Sequence, residues 1–279
     1  MSQERQVALG VRIHTDTLSV RVPEPPVGRE LSVPMALVSG SRTSGQAIGR
    51  KAAWYSLGSL LVKGASSLLE VDTIEFMSGI ATYRDELDRP ATQLVLADSL
   101  ENGAGYSTYL ARPDVWPTLM ARARNLLDED MAESGHAGRC DSSCYDCLRE
   151  FGNTSLHPLL DWRLARTMLD LLDGRDVSMQ VDDYRSAVVP HLKRLQHEAL
   201  PGATVGLLPD TRIPFLASPE GHVLLITHPI DASPADSMEL AQALDEAREY
   251  GTPHHDRVVT CIDVVRRPTE VITLLMGEA

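Results

Sequence analysis

Apolar residues recur along this chain with two different periods. From Gln46 to Leu69, the residues Trp54, Leu57, Leu61, Ala65 and Leu68 return every three or four positions, which puts them on one face of a helix able to pack on a sheet. Two further stripes predict helices in the same way. One runs through Trp116, Leu119, Met120, Ala123 and Leu127; the other spans Asp161 to Leu172, with Leu160, Leu164, Met168 and Leu171 or Leu172 on one side. Alternation of period two is weaker. It predicts one or two strands from Gln6 to Val22, with His14, Thr15 and Asp16 near their junction, and a hairpin or edge pair from Thr73 to Tyr83 and Gln93 to Ala97. The charged turn Arg84 to Arg89 separates the latter two, and Pro90 argues against continuous structure there. Beyond Asp173-Gly174 the pattern predicts a helix from Asp182 to Leu200, strands from Ala203 to Ala217 and His222 to Thr227, and a helix from Ser237 to Tyr250. Strands from Val258 to Val265 and Val271 to Leu275 complete it.

With 279 residues and 43% of them apolar, the chain can build a substantial core, as one large domain or two modest ones. Asp and Glu outnumber Lys and Arg by 39 to 26, and the resulting net charge of −13 opposes nonspecific attraction to nucleic acid or anionic membrane. Local basic groups remain as DNA or partner contacts: Arg122 and Arg124, then Arg163 and Arg166, all of which also fit the solvated face of an amphipathic helix. There is no secretory signal and no apolar run of about 20 residues, so a reducing, cytoplasmic setting without membrane contact is expected.

That setting matters for the cysteines. Cys140, Cys144 and Cys147 fall within eight consecutive residues, at spacings that let three thiolates converge on one ion from a tight turn. Zn²⁺ takes four such ligands tetrahedrally, and the fourth can come from His136 ahead of the cluster or from His157 folding back. No glutamate sits inside the cluster to shuttle protons, which favours a structural over a catalytic metal. Redox use of Cys144-Tyr-Asp-Cys147 is the alternative chemistry. Cys261, in an apolar stretch, reads as a small core residue.

The turn from Asp98 to Tyr106 contains Asn102, Gly103 and Gly105, where backbone can adopt positive φ. Such a turn either packs tightly or offers amides to a phosphate, and Glu101 and the missing Lys-Ser/Thr pair argue for packing. Asp161 is suited to cap its helix, and Asn153 to bridge backbone groups in the loop before it.

Asp98 to Tyr106, followed by Cys140-Asp-Ser-Ser-Cys-Tyr-Asp-Cys-Leu-Arg-Glu-Phe-Gly-Asn-Thr-Ser-Leu-His-Pro-Leu-Leu-Asp-Trp-Arg-Leu-Ala165, resembles the MrfA-type zinc-binding domain associated with superfamily-two DNA helicases and found in phage-defence proteins. Leu9 to Leu18 is similar to the first strand of that family, so the resemblance covers about positions 8 to 173. The family commonly has a fourth cysteine two places before the one matched by Cys140. This chain has Gly138 there, which makes His136 the leading substitute. The resemblance implies DNA repair or antiviral defence, but these residues hold no Gly-Lys-Ser/Thr nucleotide loop, so a helicase or ATPase is expected as a partner, with DNA met through the complex.

The expected fold is therefore α+β or α/β. A zinc-knuckle domain of mixed sheet and helices occupies 1–173, and a small α/β domain occupies 174–279. The latter's element order resembles a degenerate restriction-endonuclease-like core, in which Asp210 and Glu220 imitate metal carboxylates and His222 stands where lysine would activate water. His228-Pro-Ile-Asp231 and His254-His255 are weaker sites. The expected function is a non-catalytic, zinc-binding accessory subunit. A metal-dependent nuclease using Asp210 and Glu220, or a protein-protein interaction module without nucleic-acid contact, are the alternatives.

Overall fold

The structure, a computed structural model, describes residues 14–22, 24–33, 45–253 and 259–277. Residues 6–13 of the expected first strand, Val258 and the His254-His255 pair lie outside the described residues.

The amino-terminal half is built around one long helix. After β1 (Thr17–Val20) comes α1 (Gly45–Leu69), whose stripe Trp54, Leu57, Leu61 and Ala65 is fully buried. It lies on an antiparallel sheet of order β1-β3-β2, made with the hairpin β2 (Phe76–Arg84) and β3 (Pro90–Asp98). Leu94 and Leu96 of β3 point into this contact. Helix and sheet approach closely at Gly58, where a Cβ would stand 2.9 Å from Leu94 Cδ1. Pro90 does not interrupt the hairpin as expected: it opens β3 opposite Arg84. The Asp85 carboxylate accepts the Leu87 and Arg89 amides and closes the turn without needing a donor from proline.

Short α2 (Tyr106–Leu110), α3 (Trp116–Asn125), a π-helical turn at Leu126–Met131 and α4 (Ser134–Ala137) lead to the cysteine cluster. Then α5 (Trp162–Leu172) packs against α1, with Asp161 as its N-cap accepting the Arg163 amide at 2.9 Å.

Next come α6 (Ser178–Ala187) and α7 (Val189–Ala199), two helices where one was expected. Pro190 sits in the first turn of α7 and cannot donate back to α6, so the chain breaks at Val188. The second sheet has the order β4 (Thr204–Leu207), β5 (Pro214–Ala217), β6 (His222–Thr227) and β7 (Thr252–Pro253), with β8 (Val259–Thr260) also paired to β6. The first three strands are antiparallel, and β7 and β8 run parallel to β6. Alternate residues serve two cores. Phe215, Ala217, Val223 and Leu225 meet α8 (Met238–Ala247), while Leu216, Leu224 and Ile226 join the main core around α1. The main hydrophobic core thus runs continuously past Asp173-Gly174.

Two expected strands are corrected. Of the stretch Val258 to Val265, the described residues from Cys261 onward lie in α9 (Cys261–Arg266) and not in a strand, because Thr260 and Asp263 form a reciprocal capping box that nucleates a helix. Likewise 271–275 lies in α10 (Pro268–Leu275), opened by proline in its first turn, with Val271 and Leu275 buried at helical spacing. The architecture is a mixed α/β fold, and it indicates no endonuclease core.

Candidate metal centre

His136, Cys140, Cys144 and Cys147 come together. Their ligand atoms all lie within 4.8 Å of one another, and three of the four residues are buried. The Cys140 and Cys147 sulfurs are 3.9 Å apart, and His136 Nε2 is 3.3 Å from Cys144 Sγ. Tetrahedral Zn²⁺, with bonds of about 2.0–2.3 Å, holds its ligand atoms roughly 3.5–3.8 Å apart; the 3.3 Å and 3.9 Å pairs lie on either side of that spacing, and the 4.8 Å bound on all pairs leaves at most about 1 Å of closure for an ion to draw in. The donor set fits the ion in chemistry too, since thiolate and imidazole are the ligands Zn²⁺ takes in structural sites.

Local structure explains how the site assembles. The short turn of α4 carries His136 inward, and its Nδ1 lies 2.7 Å from the Met131 carbonyl oxygen of the π-helical turn. A proton on Nδ1 donates there, which fixes the tautomer and leaves the Nε2 lone pair facing the sulfurs. On the other side, the Cys144 amide donates to Cys147 Sγ at 3.0 Å. Burial, aided by its neighbours Cys147 and Cys144, pushes the Cys140 thiol up to about 12, and burial also raises Cys147. For Cys144, burial acts upward, yet hydrogen bonding to His136, to the Asp146 backbone and to the other two thiols outweighs it and the thiol is lowered. Binding a cation here displaces protons from the thiols.

The supporting contacts come from far along the chain. Lys63 of α1 donates to the Cys147 carbonyl, Trp162 Nε1 to the Cys140 carbonyl at 3.3 Å, and Arg163 to the Asp141 carbonyl at 2.9 Å. Arg266 of α9 reaches the Ser142 hydroxyl. Sequence spacing carries no trace of these partners: most of the acceptors are backbone carbonyls, and Lys63 lies 84 positions from its own.

His157 is elsewhere. Its Nε2 is 3.0 Å from both the Glu150 carbonyl and Asn153 Oδ1, and Tyr145 stands edge-on to its ring. Asn153 in turn accepts the Glu150 amide and donates to the Leu148 carbonyl, so both residues shape the loop behind the cluster. His136→Ala is accordingly expected to lower metal affinity more than about tenfold, whereas His157→Ala keeps full metal stoichiometry; metal analysis after dialysis against a competing chelator distinguishes them.

The glycine turn is committed to a different partner. Asp98 is buried, and its carboxylate accepts the amides of Ala104, Tyr106 and Ser107 at 2.8 to 3.0 Å. Burial opposes its ionisation, but Ser107 and these amides prevail and hold it below the usual carboxylate range. The donors a phosphate would need are therefore taken. Asn102, Gly103 and Gly105 all have positive φ, and at Gly103 a Cβ would strike Asp16.

The four arginines read as contacts are engaged within the chain. Arg122 bonds the Ser67 hydroxyl, Arg124 pairs with Asp170 and Asp173, Arg163 stacks on Trp162, and Arg166 pairs with Asp128. Asp210 and Glu220 sit in the turns at opposite ends of β5, and His222 opens β6. Among the described residues, they do not join any cluster of metal-ligating side chains.

Sequence reasoning overlooked a buried polar network beside this centre. Arg185, only 1% exposed, bonds Asp231 and Glu239 at 2.7 Å, and Arg29 also pairs with Asp231. Tyr184 donates to Asp161 at 3.0 Å and meets the ring of buried His228 edge-on. The His228-to-Asp231 segment, a weak site in sequence, is thereby the hub that ties β6 to α6, α8 and the cap of α5.

Comparison with known proteins gives a distant, partial homology. Over 168 residues the chain is 29% identical to the Druantia protein DruE of Escherichia coli (strain UMEA 4076-1), a match covering 59% of this chain and 8% of that protein. The matched stretch therefore spans less than a tenth of that relative's length. No family model and no solved structure matches. Among the described residues, no helix is long and apolar enough to cross a membrane.

Proposed function

We propose that this protein is a non-catalytic accessory component of an antiviral defence system, held in shape by one Zn²⁺ on Cys140, Cys144, Cys147 and His136. The observation that carries the reading is the cluster itself: four ligand atoms of zinc-binding type within 4.8 Å, with an imidazole tautomer set for coordination. Four protein ligands close the coordination sphere, so the ion supplies folding energy rather than an open position for water or substrate. Likeness to a Druantia protein supports the defence context.

The finer reading assigns residues 1–173 to an MrfA-type zinc-binding module and 174–279 to a small α/β module packed on it, acting in the cytoplasm beside a helicase-like ATPase. DNA would be met through that complex. A net charge of −13 and the internal engagement of Arg122, Arg124, Arg163 and Arg166 favour electrostatic contact by the partner over contact by this chain. Cleavage through Asp210 and Glu220 draws no support from their positions at the two ends of β5. Purification of the tagged chain from its native cell is expected to bring a stoichiometric ATPase whose DNA binding weakens with salt. Recovery of the chain as a monomer without any ATPase would overturn the partner assignment.

A further inference from the structure

Strand β2 forms one edge of its sheet, and the hydrogen-bond pattern says which of its peptide groups are open. Ser99 donates to the Glu75 carbonyl, so the odd-numbered residues of β2 exchange bonds with β3. Ser78, Ile80 and Thr82 then turn their N–H and C=O groups outward, and among the described residues no strand pairs with them. An open edge of this length is a template for another strand.

A half-open groove of about 440 Å³ lies along the amino-terminal end of this edge. Its floor is one side of α1, with Tyr55, Ser59 and Val62 at helical spacing, and its far wall is the loop 150–156 behind the cysteine cluster. Ile74 and Met77 stand at its rim, 63% and 40% exposed, and neither packs into the main core. Glu150, which lines the groove, is matched by Lys63, but Asp72 and Glu75, which flank the lining residues, have no cation paired with them among the described residues, so the unmatched charge here is negative.

We propose that this edge and groove together bind an extended peptide segment of a partner protein. The segment adds as a strand to β2, sets alternate apolar side chains in the groove, and carries basic residues toward the carboxylates. A strand paired to Ser78 and Ile80 lies about 4.8 Å from β2, and its side chains on the α1 face fall over Tyr55 and Val62. Charge selects the occupant: a second copy would bring the same acidic rim against itself, whereas a basic segment complements it. Neither the β2 amides nor Ile74 belongs to the metal cluster, so peptide binding and metal binding can fail independently.

The test uses the full chain with its metal and a blocked peptide of alternating valine and lysine as probe. Binding is expected to perturb the backbone amide resonances of Ser78, Ile80 and Thr82 above all others, and Ile74→Ser should weaken it about tenfold through the loss of one apolar contact. The fully N-methylated peptide, which keeps its side chains but cannot donate to β2, should not bind, and neither should the valine-glutamate counterpart. Equal binding by either control overturns the proposal, as does an unchanged affinity in Ile74→Ser or an absence of binding at millimolar peptide. Self-association of the protein with the same amides perturbed as its concentration rises would make a second copy the occupant, and would equally overturn it.

Discussion

Cys147→Ser is expected to abolish stoichiometric metal binding, leaving less than about a tenth of an equivalent where the native chain is expected to hold about one. Cys147 is fully buried, and its sulfur takes both the Cys144 amide and a close contact with Cys140. A serine oxygen there is a poor thiolate substitute and brings a hydroxyl into an apolar setting. The loss reaches beyond the ion. The cluster's backbone is tied to α1 through Lys63, to α5 through Trp162 and Arg163, and to α9 through Arg266. In zinc-finger peptides, metal binding contributes about 10–16 kcal/mol of apparent folding free energy; a large hydrophobic core shared with α1 and α5 limits the effect here to a few kcal/mol. Denaturant unfolding with and without chelator measures it, and chelator should lower the midpoint of the native chain while leaving Cys147→Ser unchanged. Cys261→Ser is the control. Cys261 is buried in the core away from the cluster and should leave the metal content intact.

The second large effect is expected at Arg185. Its guanidinium bridges Asp231, which is completely buried, and Glu239 of α8. Arg185→Met removes one of the two cations that meet Asp231 and leaves its carboxylate with Arg29 and the His228 amide, so the cost is expected to stay below the roughly 3–5 kcal/mol of a buried charge stripped of its only partner. The partner change tests the cause: adding Asp231→Asn should recover much of the loss, a coupling that a simple packing defect would not produce.

The pH dependence has a definite sign. Burial raises the Asp231 carboxyl above its ordinary value even against Arg185 and Arg29, and removing Arg185 raises it further. A carboxylate whose folded pKa lies above its unfolded value destabilises the fold when ionised and ceases to do so as pH falls through the folded pKa. The deficit of Arg185→Met should therefore shrink as pH falls from neutrality through the folded pKa of Asp231, which paired urea titrations of native and variant chains would reveal.

Much of the fold's framework was legible because it rests on local repetition. The α1 stripe through Trp54, Leu57 and Leu61 and the α5 stripe through Leu164 and Met168 report which face is buried, since helical spacing puts those residues on one side whatever they meet. Where apolar residues ran together, the same reasoning failed. Val258 to Val265 and Val271 to Leu275 are short and β-branched, and such runs satisfy a buried strand or a buried helix equally. The Thr260–Asp263 capping box and the proline at the start of α10 decide for helix.

The candidate metal ligands divide along the same line. Convergence of Cys140, Cys144 and Cys147 is a property of the sequence by itself, because three thiols within eight residues can reach one ion whatever surrounds them. The choice between His136 and His157 is tertiary. It turns on the Met131 carbonyl, which orients one imidazole toward the sulfurs, and on Glu150 and Asn153, which hold the other away. Arg185 is the clearest tertiary case: an arginine in a polar helix reads as solvated, and only the closure of α6 against β6 and α8 brings Asp231 and Glu239 around it. Spacing along a chain records what neighbours within a few residues can do together, whereas a buried charge or a ligand's orientation depends on groups that folding alone brings near.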